Sequence, residues 1–231
     1  MKFKSALVTT ASGSIGGMTA SRNRGGMYLR GIGNPTNPNT PQQQEIRGIL
    51  GTLSQRWQTT LTDAQREAWR TYATNVSVTD VFGDSRNLSG QQMYVRSNTP
   101  RLQAGLAAVD DGPTEFNLGE APVLTINAFE ADGTGWTADI SYPAADNSWT
   151  SIDDANLLIY GSRERAPSQI YFKGPYRYAA LVAGNSTTPP TTGIEDTLFP
   201  GTAGNIATIQ ARVTYPDGRL SSAVQYTSTL V

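Results

Sequence analysis

The sequence has 231 residues and a net charge of −1, and it contains neither cysteine nor histidine. Without cysteine the chain can form no disulfide, thiolate metal site or cysteine nucleophile, and without histidine it lacks the commonest general base near neutral pH. Ser-His-Asp and Cys-His catalysis are therefore excluded, and we expect a protein that is not an enzyme and uses no cofactor or metal.

The charges are unevenly distributed along the chain. Residues 1–109 contain 12 Lys and Arg against 5 Asp and Glu, whereas residues 110–231 contain 6 against 14. Glu45 is the first acidic residue, so the first 44 residues carry five positive charges without a negative one. A basic N-terminal segment joined to an acidic remainder predicts either a polyanionic partner or head-to-tail association between copies of the chain.

No segment has the composition of a membrane or targeting element. The apolar run at residues 6–8 is too short for the hydrophobic part of a signal peptide, and no stretch approaches the length of a transmembrane helix. We therefore expect no membrane partner and synthesis in a cytoplasm.

Residues 1–33 are predicted to form a glycine-rich basic arm. Residues 18–21 and 27–30 have strand-like composition and flank Arg24-Gly25-Gly26, which is typical of a hairpin turn because glycine readily adopts positive φ. A lone hairpin is only marginally stable in water, so we expect the arm to pair with another surface. The residues expected to make these assembly or partner contacts are Arg22, Arg24, Tyr28 and Arg30.

Part of the arm resembles the dinucleotide-binding segment of short-chain dehydrogenases, over residues 6–17. Thr10 and Ser14 occupy two of the three glycine positions of that motif, and the following residues cannot form the helix that the motif requires. The catalytic Tyr-x-x-x-Lys pattern is also absent, since Gln169 stands four residues before Lys173. We therefore reject a dehydrogenase.

Residues 34–109 are predicted to form a small helical hub. Apolar residues spaced three and four apart form a stripe on each of its first two helices, and we expect these helices to fold back as a hairpin with Trp57, Trp69 and Tyr72 in its core. We expect Pro100 to interrupt a third helix. Capping boxes, in which a Ser or Thr and a Gln three residues later bond each other's backbone N–H groups, mark the three helix starts: Thr40/Gln43, Thr62/Gln65 and Ser89/Gln92.

The acidic pair Asp110-Asp111 marks a predicted domain boundary, after which the apolar period changes to two. Residues 184–205 are predicted to be a long exposed loop, with turns at Asp132-Gly133 and at 216–218. Short strands without intervening helices predict an antiparallel β-sandwich over residues 110–231, immunoglobulin-like or fibronectin-III-like, and hence an α+β chain that is mainly β. The predicted strands are 123–130, 136–142, 155–160, 170–172, 176–182, 206–215 and 220–230.

Aromatic residues are concentrated in the middle of the acidic region. We interpret four of them as a possible exposed contact patch, since dense aromatic clusters outside a core often mark binding surfaces. These residues are Trp149, Tyr171, Tyr176 and Tyr178.

Three segments together resemble a family of uncharacterised proteins found in tailed bacteriophages and prophage-like regions. They are the glycine-rich basic hairpin at residues 13–26, the N-P-x-T-x-x-Q pattern at residues 37–43 and the L-T-x-x-x-R-x-x-W pattern at residues 61–69. The resemblance implies a virion-associated structural protein and brings no catalytic residues.

We therefore expect a bacteriophage virion structural protein, made in the host cytoplasm and located in the virion. It would be capsid-associated, as cement or decoration, or a head–tail accessory, and its partners would be other virion proteins and copies of itself. Two alternatives stay open: a nucleic-acid-binding accessory protein that uses the basic arm, and a carbohydrate-binding or adhesin module that uses the aromatic patch.

Overall fold

A computed structural model describes residues 13–31, 37–79, 83–131, 135–169, 172, 174–196 and 199–231. Over these residues the fold is α+β and mainly β, with three α-helices and twelve strands in several antiparallel sheets. The chain forms two compact units, residues 1–44 with 79–86 and residues 45–78 with 87–231. The larger unit thus combines most of the helical residues with the C-terminal strands. The boundaries at 33/34 and 109/110 remain sequence-based predictions.

The described part of the arm is a three-stranded antiparallel sheet. Its strands β1 (Gly13–Ile15), β2 (Met18–Asn23) and β3 (Gly26–Gly31) lie in the order β1-β2-β3. Gly16 and Gly17 join β1 to β2, and both have the positive φ (54° and 79°) that a type I′ hairpin turn requires. β2 and β3 pair antiparallel, with Asn23 opposite Gly26. This pair confirms the predicted hairpin, and β1 is an additional strand.

Three helices follow: α1 (Pro41–Thr59), α2 (Asp63–Asn75) and α3 (Gly90–Gln103). All three predicted capping boxes are present. In the first of them the Gln43 backbone N–H lies 3.4 Å from Thr40 Oγ1, and the Thr40 N–H lies 3.3 Å from Gln43 Oε1. Between α2 and α3, two short strands, β4 (Ser77–Thr79) and β5 (Ser85–Asn87), pair with each other.

The predicted aromatic core of the helices is confirmed, but the helix pairing differs from the prediction. The backbone of α2 packs more extensively against α3 than against α1. Tyr94 on α3 lies between the first two helices, with its ring 5.7 Å from that of Trp57 and 5.5 Å from that of Trp69. Trp69 also meets Tyr72 edge-on at 5.9 Å. An aromatic residue of the third helix thus contacts both of the first two.

The expected interruption at Pro100 is wrong, because α3 continues to Gln103. Proline removes one helical hydrogen bond and usually bends or ends a helix. Here the last turn is fixed by tertiary contacts: the Arg101 guanidinium donates to the Ala107 carbonyl, to Thr214 Oγ1 and to the Tyr215 carbonyl at 3.0–3.1 Å. These bonds favour the helical conformation past the proline.

The C-terminal strands form two sheets, of three and four strands. The three-stranded sheet has the order β10-β7-β6 and the four-stranded sheet the order β12-β11-β8-β9. Seven strands take part: β6 (Thr125–Ala131), β7 (Trp136–Ser141), β8 (Asn156–Ser162), β9 (Tyr176–Ala183), β10 (Thr192–Asp196), β11 (Ile206–Thr214) and β12 (Val224–Thr229). Six of the seven predicted strands are confirmed within a few residues.

The remaining strand predictions need correction. The expected loop 184–205 contains β10, a strand with little strand-like composition that forms by pairing with β7. The predicted strand 170–172 lies mostly outside the described residues, and Phe172 itself is not in a strand. The turn at Asp132-Gly133 also lies outside the described residues. The turn at 216–218 is confirmed, with Gly218 at a φ of 90°.

Both sheets contribute side chains to one hydrophobic core. The Trp136 indole in this core donates to the Ser162 carbonyl at 3.3 Å and so joins a strand of one sheet to a strand of the other. The large side chains that are fully buried in this core are those of Phe129, Trp136, Ile140, Tyr142, Trp149, Leu157, Ile159, Ile209 and Val213.

The predicted boundary at Asp110-Asp111 is occupied by a strap, residues 107–112, that binds all three helices. The Asp110 carboxylate accepts from Arg56 Nη2 of α1 at 2.6 Å and from the Tyr94 hydroxyl of α3 at 2.9 Å. Its backbone carbonyl accepts from Trp69 Nε1 of α2 at 2.9 Å. One residue of the strap is thus bonded to each of α1, α2 and α3.

Residues on either side of Asp110 hold the strap in register. The Asn98 amide pairs with the backbone of Val109 in both directions, at 2.7 and 3.1 Å. Gly112 lies so close to the backbone of α2 that an added Cβ would be 2.7 Å from the Ala68 carbonyl carbon. The strap therefore requires a small residue where it crosses α2.

The L-T-x-x-x-R-x-x-W pattern is explained by structural roles alone. Leu61 is buried, Thr62 caps α2, and the Arg66 guanidinium donates to the carbonyls of Trp57 and Gln58 at the end of α1. The final position is Trp69, which binds the strap. Each specified side chain thus stabilises the α1–α2 junction or the strap.

We predict that Asp110→Ala lowers the free energy of unfolding by about 2–3 kcal/mol, because it leaves the buried Tyr94 hydroxyl without its acceptor and removes a charged bond to Arg56. Urea denaturation measures this loss. Asp111→Ala is the matched control: its carboxylate accepts one exposed bond, from Gln65 Nε2, so a change within about 0.5 kcal/mol is expected. Equal losses in the two variants would show that Asp110 has no special role.

We also predict that stability falls as the pH rises from about 10 to about 12. Burial raises the pKa of Tyr72, Tyr94 and Tyr160 to about 12, whereas the pKa of a tyrosine in the unfolded chain is about 10. The unfolded state therefore loses protons first, and the stabilisation present below pH 10 disappears across this interval. Phenolate absorbance should show at least three of the ten tyrosines ionising only with unfolding. A single transition near pH 10 that precedes unfolding would contradict this.

Candidate interaction surfaces

The sheet of the arm has two faces of different chemistry. Residues paired directly across an antiparallel ladder lie on the same face, and neighbours along a strand alternate. The registers place Met18, Ala20, Arg22, Met27 and Leu29 on one face, of which Met18 is 42% exposed. The other face carries Ser14, Thr19, Ser21, Tyr28 and Arg30.

The predicted contact residues of the arm are not gathered on one face. Arg22 lies on the apolar face, Tyr28 and Arg30 lie on the polar face, and Arg24 is in the turn between the strands. All three arginines are exposed, and Tyr28 is half-buried. The arm thus presents positive charge in three directions.

The glycines of the arm serve turns rather than a dinucleotide cradle. Gly16 and Gly17 form the β1–β2 turn, and β2 and β3 stand where a nucleotide-binding segment would need a helix. The arm residues that the structure describes therefore do not have the strand–turn–helix geometry of that motif.

The sequence-predicted aromatic patch does not form as a unit. Trp149 is 1% exposed, packs against the Tyr142 ring at 5.6 Å and donates from Nε1 to Asn147 Oδ1 at 3.0 Å. It is a core residue, so its assignment to the surface was wrong. The prediction rested on the density of aromatic residues here, but the buried Asn147 bonds to the Val123 backbone in both directions and so holds this short helical segment in place. Tyr171 lies outside the described residues.

Tyr176 and Tyr178 lie on β9, at the edge of the four-stranded sheet, and both are half-buried. The Tyr176 ring meets the Phe172 ring edge-on at 5.5 Å. The Arg165 guanidinium lies over the Phe172 ring, 5.1 Å from its centre. Tyr178 meets the ring of Tyr160 at 5.9 Å. The structure therefore adds Tyr160 to the predicted pair.

Tyr160 belongs to a row of four side chains that crosses the whole four-stranded sheet. It is paired with Tyr178 of β9 on one side and with Gln210 of β11 on the other, and Gln210 is paired with Gln225 of β12. All four lie on the face opposite to the hydrophobic core. We call this set the amide–tyrosine row. Nothing in the sequence indicates it, because its members lie up to 65 residues apart and only strand register brings them together.

The four-stranded sheet differs in charge from the region around it. Residues 110–231 contain 14 acidic residues, but none lies in β8, β9, β11 or β12. The strands carry two arginines, of which Arg212 lies on the same face as the amide–tyrosine row and is paired with Leu158. Burial lowers the pKa of Arg212, but any arginine remains charged near neutral pH. The face is therefore locally positive.

Other kinds of site find no support among the residues that the structure describes. No three of their His, Cys, Asp or Glu side chains are grouped so that they could hold a metal ion. None of the described helices is both long and apolar enough to cross a membrane.

Comparison of the sequence with known protein families and with curated proteins found no match. The two surfaces described above, the sheet of the arm and the outer face of the four-stranded sheet, are therefore the candidate functional regions of the protein.

We predict that Trp149→Ala lowers the free energy of unfolding by about 3–5 kcal/mol, as expected when a large aromatic side chain is removed from a core. Tyr176→Ala is the comparison variant, since this half-buried residue at the sheet edge should cost clearly less. Chemical denaturation followed by circular dichroism measures both. If Trp149→Ala lowered the free energy of unfolding as little as Tyr176→Ala, Trp149 would not be a core residue and the original surface assignment would stand.

Proposed function

We propose that the protein is a structural component of a tailed-bacteriophage virion and that the N-terminal sheet is its assembly arm. The observation that carries the proposal is the arm itself. It forms a three-stranded sheet in a compact unit separate from the body, with exposed arginines on both faces and in a turn. An arm that presents charge in several directions suits insertion between protein subunits.

The mechanism is assembly rather than chemistry. Addition of a strand at the edge of a sheet supplies backbone hydrogen bonds between subunits. Arginine-to-carboxylate bonds are directional and often bidentate, so they set the register of such a contact. The first 44 residues contain no acid, whereas residues 110–231 are strongly acidic. The arm is therefore complementary in charge to the body of another copy, and other virion proteins with acidic surfaces would fit in the same way.

We further propose that β6–β12 form an immunoglobulin-like sandwich of the fibronectin-III type. The first, second and fifth of these strands make one sheet, and the third, fourth, sixth and seventh make the other. Both sheets contribute to one core, which is the arrangement of two-sheet sandwiches. In a particle such a module would serve as capsid cement or decoration, or as a head–tail accessory.

Nucleic-acid binding by the arm is the second candidate function, because five cations without an acid form a basic footprint. A protein that follows a phosphate backbone usually gathers its cations on one stripe. Arg22 and Arg30 lie on opposite faces of the arm sheet, which supports protein contacts more than a single phosphate track.

The test uses density-purified phage particles and a chain that lacks residues 1–33. Mass spectrometry should find the full chain in particles, with hundreds of copies for a shell decoration or about a dozen for a neck or tail ring. The shortened chain should remain folded, because the body has its own cores, but it should be missing from particles. Normal incorporation of the shortened chain would overturn the role of the arm.

Charge variants separate the two candidates. Replacing Arg22, Arg24 and Arg30 by Gln should weaken incorporation, whereas Arg163→Gln, an exposed arginine of the body, should leave it unchanged. Salt-dependent binding of the full chain to DNA or RNA that the triple variant loses, with incorporation intact, would favour the nucleic-acid function. Absence of the full chain from particles would exclude the virion proposal.

A further inference from the structure

The outer face of the four-stranded sheet contains two neighbouring rows that differ in how their polar groups are satisfied. In the row of Ser162, Thr208 and Thr227, the side chains bond to one another, to nearby backbone groups and to Arg165 at 2.9–3.0 Å. In the amide–tyrosine row, Gln210 and Gln225 make no side-chain hydrogen bond to any described residue. The second row thus offers unused amide donors and acceptors.

Arg212 extends the amide–tyrosine row with a positive charge. It lies two residues from Gln210 along β11, hence on the same face and about 7 Å away. Its guanidinium forms no ion pair with a described carboxylate, and its buried Nε has no hydrogen-bond partner. A buried donor without an acceptor is costly and rare in native structures. An external anion would supply the counter-charge that the described residues do not give the guanidinium.

The exposure of the row is graded across the sheet. Tyr178, Tyr160, Gln210 and Arg212 are half-buried, whereas Gln225 on the edge strand β12 is exposed. Neighbouring strands lie about 4.8 Å apart, so the row, with one residue on each of the four strands, spans about 14 Å. The row is most accessible at the β12 edge, where a ligand would approach.

We propose that this surface binds an acidic oligosaccharide, with Arg212 holding a sugar carboxylate, Gln210 and Gln225 bonding to sugar hydroxyls, and the Tyr160 ring packing against a sugar ring. Each amide both donates and accepts, as a hydroxyl does, so amides match carbohydrates closely. The guanidinium fork matches a carboxylate. The tyrosine ring supplies a flat apolar surface with a polar edge.

Charge complementarity favours an anionic over a neutral sugar. None of the four strands contains an acid that would repel a carboxylate. Arg96 of α3 lies close enough to Arg212 for the two charges to interact; its pKa is lowered to about 10, first by burial and second by Arg212. An anion at Arg212 would relieve this repulsion. The proposal is independent of the assembly arm, and it differs from the sequence-predicted aromatic patch because it excludes Trp149.

The test measures binding of the purified full chain to four carboxylated polymers: polygalacturonate, alginate, hyaluronate and polysialic acid. Methyl-esterified polygalacturonate and dextran are the uncharged comparisons, and biolayer interferometry provides the readout. We expect binding to at least one carboxylated polymer and much weaker binding to the uncharged ones.

Variants locate the site. Arg212→Gln should weaken binding roughly tenfold or more, as expected for loss of a hydrogen bond between charged groups. Gln225→Ala should weaken it several-fold, and because this residue is exposed on an edge strand, the variant tests the site even if Arg212→Gln does not fold. Arg163→Gln makes the same charge change on an exposed arginine outside the row and should bind like the original chain.

Three results would overturn the proposal. The first is no binding to any of the four carboxylated polymers. The second is an equal loss of binding in Arg163→Gln and Arg212→Gln, which would indicate attraction by overall charge. The third is self-association of the chain, seen by sedimentation, that Arg212→Gln abolishes, which would make an acidic segment of a second copy the occupant. None of these depends on particles, so the virion proposal can fail or succeed separately.

Discussion

The Asp110 carboxylate is the acceptor on which the arrangement of the helices depends. It binds Arg56 and Tyr94, while its own carbonyl binds Trp69, so residues from α1, α2 and α3 converge on one position. A carboxylate can accept several hydrogen bonds at once, and bonds to a charged acceptor are stronger than those between neutral groups. An uncharged side chain of the same size would bond more weakly to Arg56 and Tyr94, whereas the bond from Trp69 goes to the backbone. The strap thus acts as a common polar partner for three helices that also share one hydrophobic core.

Two arginines of α3 also join the helices to the C-terminal strands. Arg101 and Arg96 of α3 donate to carbonyl groups near the ends of β11 and in the following segment. These guanidinium groups are largely removed from water without a carboxylate partner, which lowers the pKa of both. Carbonyl groups with defined positions replace the lost hydration. The larger unit is therefore held together by polar bonds between layers as well as by its two hydrophobic cores.

The two proposed surfaces differ in chemistry because they belong to different kinds of structure. The arm is a thin sheet with charge on both faces and in a turn, which suits assembly between subunits. The four-stranded sheet buries one face in a core and carries amides, tyrosines and an arginine on the other, which suits recognition of a polar ligand. A chain with both surfaces would use the arm for attachment and the sheet face for binding a ligand.

The sequence by itself determined much of the local structure: the three helix starts, the turns at residues 24–25 and 216–218 and most strands, because capping side chains and glycines act within a few residues. It also determined that Trp57, Trp69 and Tyr72 belong to a core, since their spacing places them on helix faces. Only the tertiary structure decided the role of Asp110, the burial of Trp149, the strand β10 and the amide–tyrosine row. Each of these depends on partners far away in the chain, and register between distant strands has no counterpart in local sequence.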